Sequence, residues 1–152
     1  MCILLIQTYS IEDCNYYNSG DITSVTELTV PSLPVNFKAS WKLQRVGSGA
    51  STSWLEVGTD SNNCILGGQT GSNQQIGIFC KVGGTYVASQ SENGVFPQGV
   101  DSLTELAYND GTITISYGNT TKTITSTQIT SRTFVRANIV SNHMKELKIK
   151  PL

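Results

Sequence analysis

Apolar and polar residues alternate along most of the chain, in short runs separated by clusters of Gly, Asn, Asp and Ser. Alternation with a period of two is typical of β-strands that bury one face, and the polar clusters are typical of turns. We therefore predict about eleven or twelve short strands and no helix, a pattern typical of all-β sandwiches and barrels. The predicted strands cover residues 11–17, 22–30, 37–44, 54–57, 64–66, 76–82, 85–88, 103–108, 112–117, 120–125, 133–140 and 144–150.

The turn sequences between these strands divide the chain further. Gly83-Gly84 and Asn109-Asp110-Gly111 favour tight β-hairpins. Residues 67–73 are interpreted as a loop. Residues 91–100 are the longest segment without a strand pattern, and such a loop is typical of a functional segment or a crossing between sheets. With no repeat and no linker, we predict one domain over residues 1–152, in which residues 1–10 are a lead-in strand or linker.

The composition excludes several classes of protein. The chain has 152 residues and a mass of 16.4 kDa, with 38% hydrophobic residues, 14% charged residues and a formal net charge of −1. Without a basic excess, the chain is not expected to bind nucleic acid. Without an apolar run of about 18 residues, it is not expected to insert into a membrane. Its polarity comes from hydroxyl and amide side chains rather than from charges.

The two chain ends and the cysteines carry further expectations. Residues 1–7 are mostly apolar but lack the features of a secretory signal, so we interpret them as a strand or a lead-in from an upstream domain. The last predicted strand ends two residues before the chain does, which suits a C-terminal or excised module whose first strand pairs beside its last. We expect the cysteines to be reduced and mostly half-buried, and the sequence leaves a Cys64–Cys80 bridge open. The four cysteines are Cys2, Cys14, Cys64 and Cys80.

Several stretches carry a family resemblance. Residues 11–17 combine an acidic pair with aromatic residues, residues 35–46 form a long strand, and residues 53–58 contain Trp-Leu-Glu-Val-Gly. With residues 103–117 and 146–150, they resemble concanavalin A-like, laminin-G-like jelly-roll domains, especially the carbohydrate-binding or receptor-binding modules of phage tail and fibre proteins. The resemblance implies an antiparallel β-sandwich with one concave sheet, a ligand on that face or its rim loops, and a location in a virion or another extracellular particle.

The alternation also predicts a binding surface. If the apolar residues of strands 37–44, 54–57 and 76–82 face the core, their polar and aromatic neighbours share the opposite face. Aromatic rings stack on sugar rings and planar polar groups bond to sugar hydroxyls, so we predict a carbohydrate site there. Alternatively, a loop or a neighbouring subunit covers the rings, and a one-residue slip would place Tyr86 or Trp41 in this role. The predicted binding residues are Trp54, Glu56, Lys42, Gln44, Phe79 and Lys81.

Catalytic patterns are absent from the sequence. The only histidine, His143, is interpreted as a solvated turn residue, and no Gly-x-Ser-x-Gly motif occurs. A glycosidase needs two carboxylates that face each other across the scissile bond. Glu56 and Asp60 are four apart, but Gly58-Thr59 is expected to end the strand between them.

Two further pairs of acids also fail this requirement. Asp101 and Glu105 are four apart, with Asp101 at a strand start, while Glu12 and Asp13 are adjacent and face opposite ways. We therefore predict that the protein is not an enzyme.

Metal binding is the remaining question of chemistry. Asp60 and Asn62 offer the hard oxygen ligands that calcium prefers, although turns rich in Asp and Asn also arise for backbone reasons alone. We predict no cofactor and no metal site, and keep these two residues as the candidates should calcium bind.

These inferences lead to one hypothesis and two alternatives. The hypothesis is a non-catalytic carbohydrate-binding or adhesion module of a phage tail or fibre protein, whose partner is a cell-surface glycan. The first alternative is a structural or oligomerisation module of a viral particle, in which the chain forms a homo-oligomer and binds no ligand. The second is a small glycoside hydrolase.

Overall fold

The computed structural model describes residues 16–31, 33–46, 51–71 and 74–152. Within these ranges the chain forms twelve β-strands and no helix. The strands are β1 (Tyr16–Ile22), β2 (Thr26–Glu27), β3 (Phe37–Arg45), β4 (Thr52–Asp60), β5 (Asn63–Thr70), β6 (Gln75–Val82), β7 (Thr85–Glu92), β8 (Asp101–Asn109), β9 (Thr112–Tyr117), β10 (Thr120–Thr125), β11 (Phe134–Val140) and β12 (Asn142–Pro151).

The strands form two six-stranded sheets. The first sheet has the order β1-β12-β3-β8-β9-β10, and the second has the order β2-β11-β4-β5-β6-β7. Neighbouring strands are antiparallel in both sheets. The predicted all-β antiparallel sandwich is confirmed, and β1 pairs beside β12, the last strand.

The core lies between the two sheets and follows the predicted alternation. On β3, Phe37, Trp41 and Leu43 are at most 1% exposed, as are Leu55 and Val57 on β4. Burying each large apolar side chain contributes about 1.5–3 kcal/mol. The apolar residues of strands 37–44, 54–57 and 76–82 therefore face the core, as predicted.

The long loop at 93–100 is one of the crossings between the two sheets. It connects β7 of the second sheet to β8 of the first. The backbone amides of Val95 and Phe96 donate to the carbonyl oxygen of Gln74 at 2.9 and 3.2 Å, and the amide of Gly99 donates to that of Arg45 at 2.8 Å. Phe96 is fully buried in the core, so the loop closes the sandwich as well as connecting its layers.

Two glycine-containing segments differ from their predictions. Residues 67–70 belong to β5 rather than to a loop, and Gly58 with Thr59 continues β4 instead of ending it. A side chain at Gly68 would clash with the carbonyl oxygen of Ser53 on β4, and this glycine has a φ of +143°. The glycines therefore permit close approach of neighbouring strands. The prediction was wrong because it interpreted these glycines as turn residues.

The register of β5 and β6 separates the two buried cysteines. Cys64 lies opposite Lys81, whereas Cys80 lies opposite Ile65, one position along the ladder. Adjacent positions point to opposite faces of a sheet, so the two thiols cannot form a bridge, and both are free. Cys2, Cys14 and the expectations for residues 1–15 lie outside the described residues. The strand expected at 22–30 is reduced to the two residues of β2.

Polar side-chain contacts lie at both edges of the sandwich. Lys122 of β10 lies 2.6 Å from Glu92 of β7, which joins edge strands of different sheets. At the other side, His143 Nδ1 lies 2.6 Å from Asp21 Oδ2 and connects β12 to β1. His143 lies in strand β12 rather than in a turn as predicted. The turn before β12 contains Ser141, which has a φ of 51°. Across the described ranges, no helix has the length and apolar character needed to cross a membrane.

Candidate functional site

The outer surface of the second sheet carries the largest group of predicted site residues. Residues that lie opposite each other on neighbouring antiparallel strands point to the same face. The register therefore arranges side chains from β11, β4, β5, β6 and β7, in that order, in rows across the sheet. The three central rows are Asn138, Trp54, Gly68, Gly77 and Ser91; Arg136, Glu56, Leu66, Phe79 and Ser89; and Phe134, Gly58, Cys64, Lys81 and Tyr86.

The Glu56 carboxylate is the centre of a hydrogen-bond network on this surface. Arg136 donates from Nε to Oε2 at 2.7 Å and from Nη2 to Oε1 at 3.2 Å. The indole Nε1 of Trp54 donates to Oε1 at 3.0 Å, and Nδ2 of Asn138 donates to the same oxygen at 3.5 Å. Both oxygens of the carboxylate therefore have protein donors.

The centre of this network is buried. The Glu56 side chain is only 2% exposed, while that of Arg136 is 24% exposed. The hydrogen bond between Arg136 and Glu56 raises the pKa of Arg136 above the ordinary value for arginine. A charge-assisted, bidentate pair of this kind fixes the orientation of the guanidinium. The half-buried Trp54 ring is held in place through the same carboxylate.

A second cluster lies two to three strands away from Glu56. The rings of Phe79 and Tyr86 have centroids 5.2 Å apart and planes inclined by 47°. The Lys81 Nζ lies 5.4 Å from the Tyr86 centroid and donates a hydrogen bond to the carbonyl oxygen of Ser61 at 3.1 Å. Two aromatic rings and an ammonium group thus occupy one end of the surface.

Few side chains project from the surface between the two clusters. Leu66 lies between Glu56 and Phe79 and is 1% exposed. In the Trp54 row, the next two strands contribute Gly68 and Gly77, which have no side chains. A Cβ added at Gly77 would lie 2.6 Å from Cε2 of Phe79, so the phenyl ring leans over this glycine.

Four of the six predicted binding residues share this surface: Trp54, Glu56, Phe79 and Lys81. The other two lie on β3 of the first sheet, on the opposite outside of the sandwich, so the prediction of one common face is wrong for them. Lys42 pairs with Glu146 at 3.0 Å, and Gln44 accepts a hydrogen bond from Lys145 at 3.1 Å. Alternation shows which side of its own sheet a residue occupies, but it does not show to which sheet the strand belongs.

Trp41 and Tyr86, the residues that a one-residue slip would place in the binding role, occupy different environments. Trp41 is 1% exposed and belongs to the core, whereas Tyr86 is 54% exposed and lies on the surface of the second sheet. The single-residue slip that would have exposed Trp41 does not occur, since β3 keeps the predicted alternation.

Two residues of this network, Arg136 and Asn138, were not among the predicted binding residues. Both belong to β11, which pairs with β4 although Arg136 is 80 residues beyond Glu56. The alternation of these residues with Val135, Ala137 and Ile139 marks them as outward-facing. Their orientation could therefore be predicted from the alternation, but the pairing of β11 with β4 could not.

The remaining acids have separate partners. Asp60 Oδ1 accepts hydrogen bonds from the amides of Asn62 and Asn63 at 2.8 and 2.9 Å, and these bonds lower the pKa of Asp60. Glu105 pairs with Lys38 at 2.7 Å. Asp60 and Asn62 therefore build a turn. In the part of the chain that the structure describes, no three His, Cys, Asp or Glu side chains converge on a possible metal position.

No family model matches the sequence, and no curated protein matches it either. Solved structures do match. A toad ovary galectin in complex with thio-digalactose has a TM-score of 0.67 at 14% identity, over 85% of this chain and 100% of that chain. CG-16, a homodimeric agglutinin from chicken liver, has a TM-score of 0.66 at 12% identity, over 84% of this chain and 100% of that chain.

An enzyme structure also matches. A fructosyltransferase from A. japonicus has a TM-score of 0.70 at 9% identity, over 91% of this chain but 26% of that chain. At these identities the similarity shows the fold. The chain therefore has the concanavalin A-like jelly-roll fold that the sequence resemblance implies.

Proposed function

We propose that this chain is a non-catalytic carbohydrate-binding module and that sugar binds to the outer surface of its second sheet. The observation that carries the proposal is the network around Glu56, which is 2% exposed and bonded to Trp54, Arg136 and Asn138. It presents an aromatic ring beside planar polar groups, the combination that stacks on a pyranose and bonds to its hydroxyls.

The network leaves suitable groups for a ligand. A guanidinium has five N–H donors, and Glu56 takes two bonds from Arg136, so further donors remain for sugar hydroxyls. The carbonyl oxygen of Asn138 is an acceptor. Because Glu56 already orients these groups before a ligand arrives, less ordering is required on binding.

The same contacts argue against hydrolysis. A glycosidase requires one protonated carboxyl as general acid and a second carboxylate across the bond. Both oxygens of Glu56 already accept hydrogen bonds from protein side chains, Arg136 and Trp54 among them. Glu27 on β2 lies opposite Arg136 on β11, and Glu56 on β4 lies on the other side of the same strand. Strand β11 therefore separates the two carboxylates. The fold match to a toad ovary galectin in complex with thio-digalactose supports a binding function.

Glycan-array screening followed by calorimetric titration tests this proposal. Trp54→Ala is expected to weaken binding by at least about tenfold, or about 1.4 kcal/mol. Tyr17→Ala is the matched control, since Tyr17 is 37% exposed and lies on β1 of the first sheet. Failure of the wild-type chain to bind any glycan, or equal binding by the Trp54→Ala variant, would contradict the proposal.

We also propose a biological setting. We infer a receptor-binding module of a virion that recognises a cell-surface glycan. Two features support this: the sequence resemblance to phage tail and fibre modules, and the low proportion of charged residues, 14%. Weak single sites would then gain avidity from several copies. Bacterial capsular polysaccharides on the array are expected to bind more tightly than vertebrate glycans.

The oligomeric state separates this function from a structural one. Sedimentation analysis of the free chain gives the size in solution, and quenching of tryptophan fluorescence reports whether Trp54 is accessible. Trp41 is 1% exposed and serves as the buried reference. An oligomer in which the Trp54 ring is shielded would favour the structural module.

A further inference from the structure

We propose that Lys81, Tyr86 and Phe79 form a second subsite on the same surface, which binds an anionic group of the sugar chain. The ligand is then an acidic oligosaccharide that lies across the strands from Trp54 to Tyr86. This inference rests on the proposed carbohydrate function and specifies the chemistry of its ligand.

The first observation is the charge of Lys81. Within the described ranges, no carboxylate oxygen lies within 4.0 Å of its ammonium, which instead donates to the carbonyl oxygen of Ser61. The strands of the second sheet contain two cationic side chains, and the other one, Arg136, lies 2.7 Å from a carboxylate oxygen of Glu56. The second sheet therefore presents one positive charge that has no carboxylate to balance it, beside aromatic rings.

The second observation is that this ammonium is held in position. It lies 5.4 Å from the centre of the Tyr86 ring and uses one of its three N–H donors on Ser61. The other two donors remain for a ligand. A lysine that is already restrained loses less side-chain entropy when it binds an anion than a freely moving surface lysine does.

The third observation is an exposed aromatic platform at the same place. Tyr86 is 54% exposed and Phe79 is half-buried, and their rings form a bent surface with centroids 5.2 Å apart. Aromatic rings with one apolar face and a nearby polar group suit a sugar that carries both a stacking face and a charge.

The two clusters form one continuous surface. Three strand spacings of about 4.8 Å separate β4 from β7, a total of about 14 Å that exceeds the width of one pyranose ring. Gly68 and Gly77 place no side chain along this path, and the Phe79 ring leans over Gly77 toward the Trp54 row. A chain of linked sugars can therefore contact Trp54 at one end and Lys81 at the other.

The test compares charged and uncharged forms of the same glycans. Array hits from capsular polysaccharide fragments are prepared as the free uronic acid and as its methyl ester, and sulfated fragments form a separate arm. The wild-type chain is expected to bind the free acid about tenfold or more tightly than the ester, and the difference is expected to shrink as salt is raised from about 50 to about 500 mM. The sulfated arm shows whether sulfate replaces carboxylate.

Variants assign the effect to its residues. Lys81→Met is expected to reduce binding of the acid to the level of the ester, whereas Lys81→Arg retains the preference. Lys38→Met on the first sheet is the control. Tyr86→Ala is expected to weaken binding of tetrasaccharides while leaving disaccharides bound at Trp54 unchanged.

The outcomes distinguish the two proposals. Binding that depends on Trp54 but is equal for acid and ester, or a preference that survives Lys81→Met, would overturn the anionic subsite and leave the carbohydrate function intact. Absence of binding to every glycan would overturn both.

Discussion

The guanidinium of Arg136 binds both oxygens of the Glu56 carboxylate, at 2.7 and 3.2 Å, although the two residues are 80 positions apart in the chain. The pair joins β11 to β4 in the middle of the second sheet. It also determines where Trp54 and Asn138 can lie, because both donate to the same carboxylate.

Glu56→Gln is expected to destabilise the fold by about 1–3 kcal/mol, because a buried acceptor for several donors loses its charge. Urea unfolding monitored by circular dichroism measures this loss. Glu105→Gln is the control, since its pair with Lys38 is about a third exposed and is expected to contribute less than about 1 kcal/mol. Equal stabilities of the two variants would show that the buried network contributes little.

Gly68→Ala is expected to lower the free energy of unfolding by about 1–3 kcal/mol, because its φ of +143° is strained for alanine and the new methyl group meets the backbone of Ser53. Gly118→Ala is the comparison, since Gly118 also has a positive φ, of 55°, but has nothing within 4 Å of an added Cβ. A larger loss of stability for Gly68→Ala than for Gly118→Ala is therefore expected in thermal melts. If both lose the same stability, the close approach of β4 and β5 is not what requires glycine at position 68.

Burial raises the pKa of the Cys64 thiol from 9.0 to about 12. The folded protein therefore keeps this proton while the unfolded chain releases it, so stability is expected to fall as pH rises from 9 to 12. Iodoacetamide labelling at pH 8, followed by peptide mass spectrometry, is expected to leave Cys64 unmodified until denaturant is added. Rapid labelling of the native protein at this position would contradict the burial.

Asp60→Ala is expected to destabilise the β4–β5 turn at neutral pH, because the carboxylate accepts hydrogen bonds from Asn62 and Asn63. The pKa of Asp60 is lowered from 3.8 by these bonds. Its contribution is thus present above pH 3.8 and is lost as the pH falls through the lower value of the folded state. Melting curves of variant and wild type are expected to converge in acid, and a constant difference across the pH range would contradict this role.

Local patterns predicted much of the fold because strand and turn signals act over a few residues. The strands at 112–117 and 120–125 match β9 and β10, where alternation is bounded by clear turns. The prediction was wrong at Gly67 and Gly68, since glycine breaks a local pattern whether it makes a turn or admits a neighbouring strand.

The candidate site could be predicted only in part, because its residues meet through long-range pairing. The alternation identified Trp54 and Glu56 as outward-facing, but it grouped Lys42 with them although β3 belongs to the other sheet. It missed Arg136 because nothing local shows that β11 lies beside β4. The strand order of a sandwich is a property of the whole chain.

The two outer surfaces of the sandwich face away from each other across one shared core. The outer surface of the first sheet carries surface ion pairs such as Lys38–Glu105 and Lys42–Glu146, whereas the second carries the Glu56 network. Substitutions at well-separated sites usually have additive effects. Substitutions on the outer surface of the second sheet can therefore accumulate without disturbing the ion pairs of the first, so one surface of this scaffold can diverge while the opposite one stays the same.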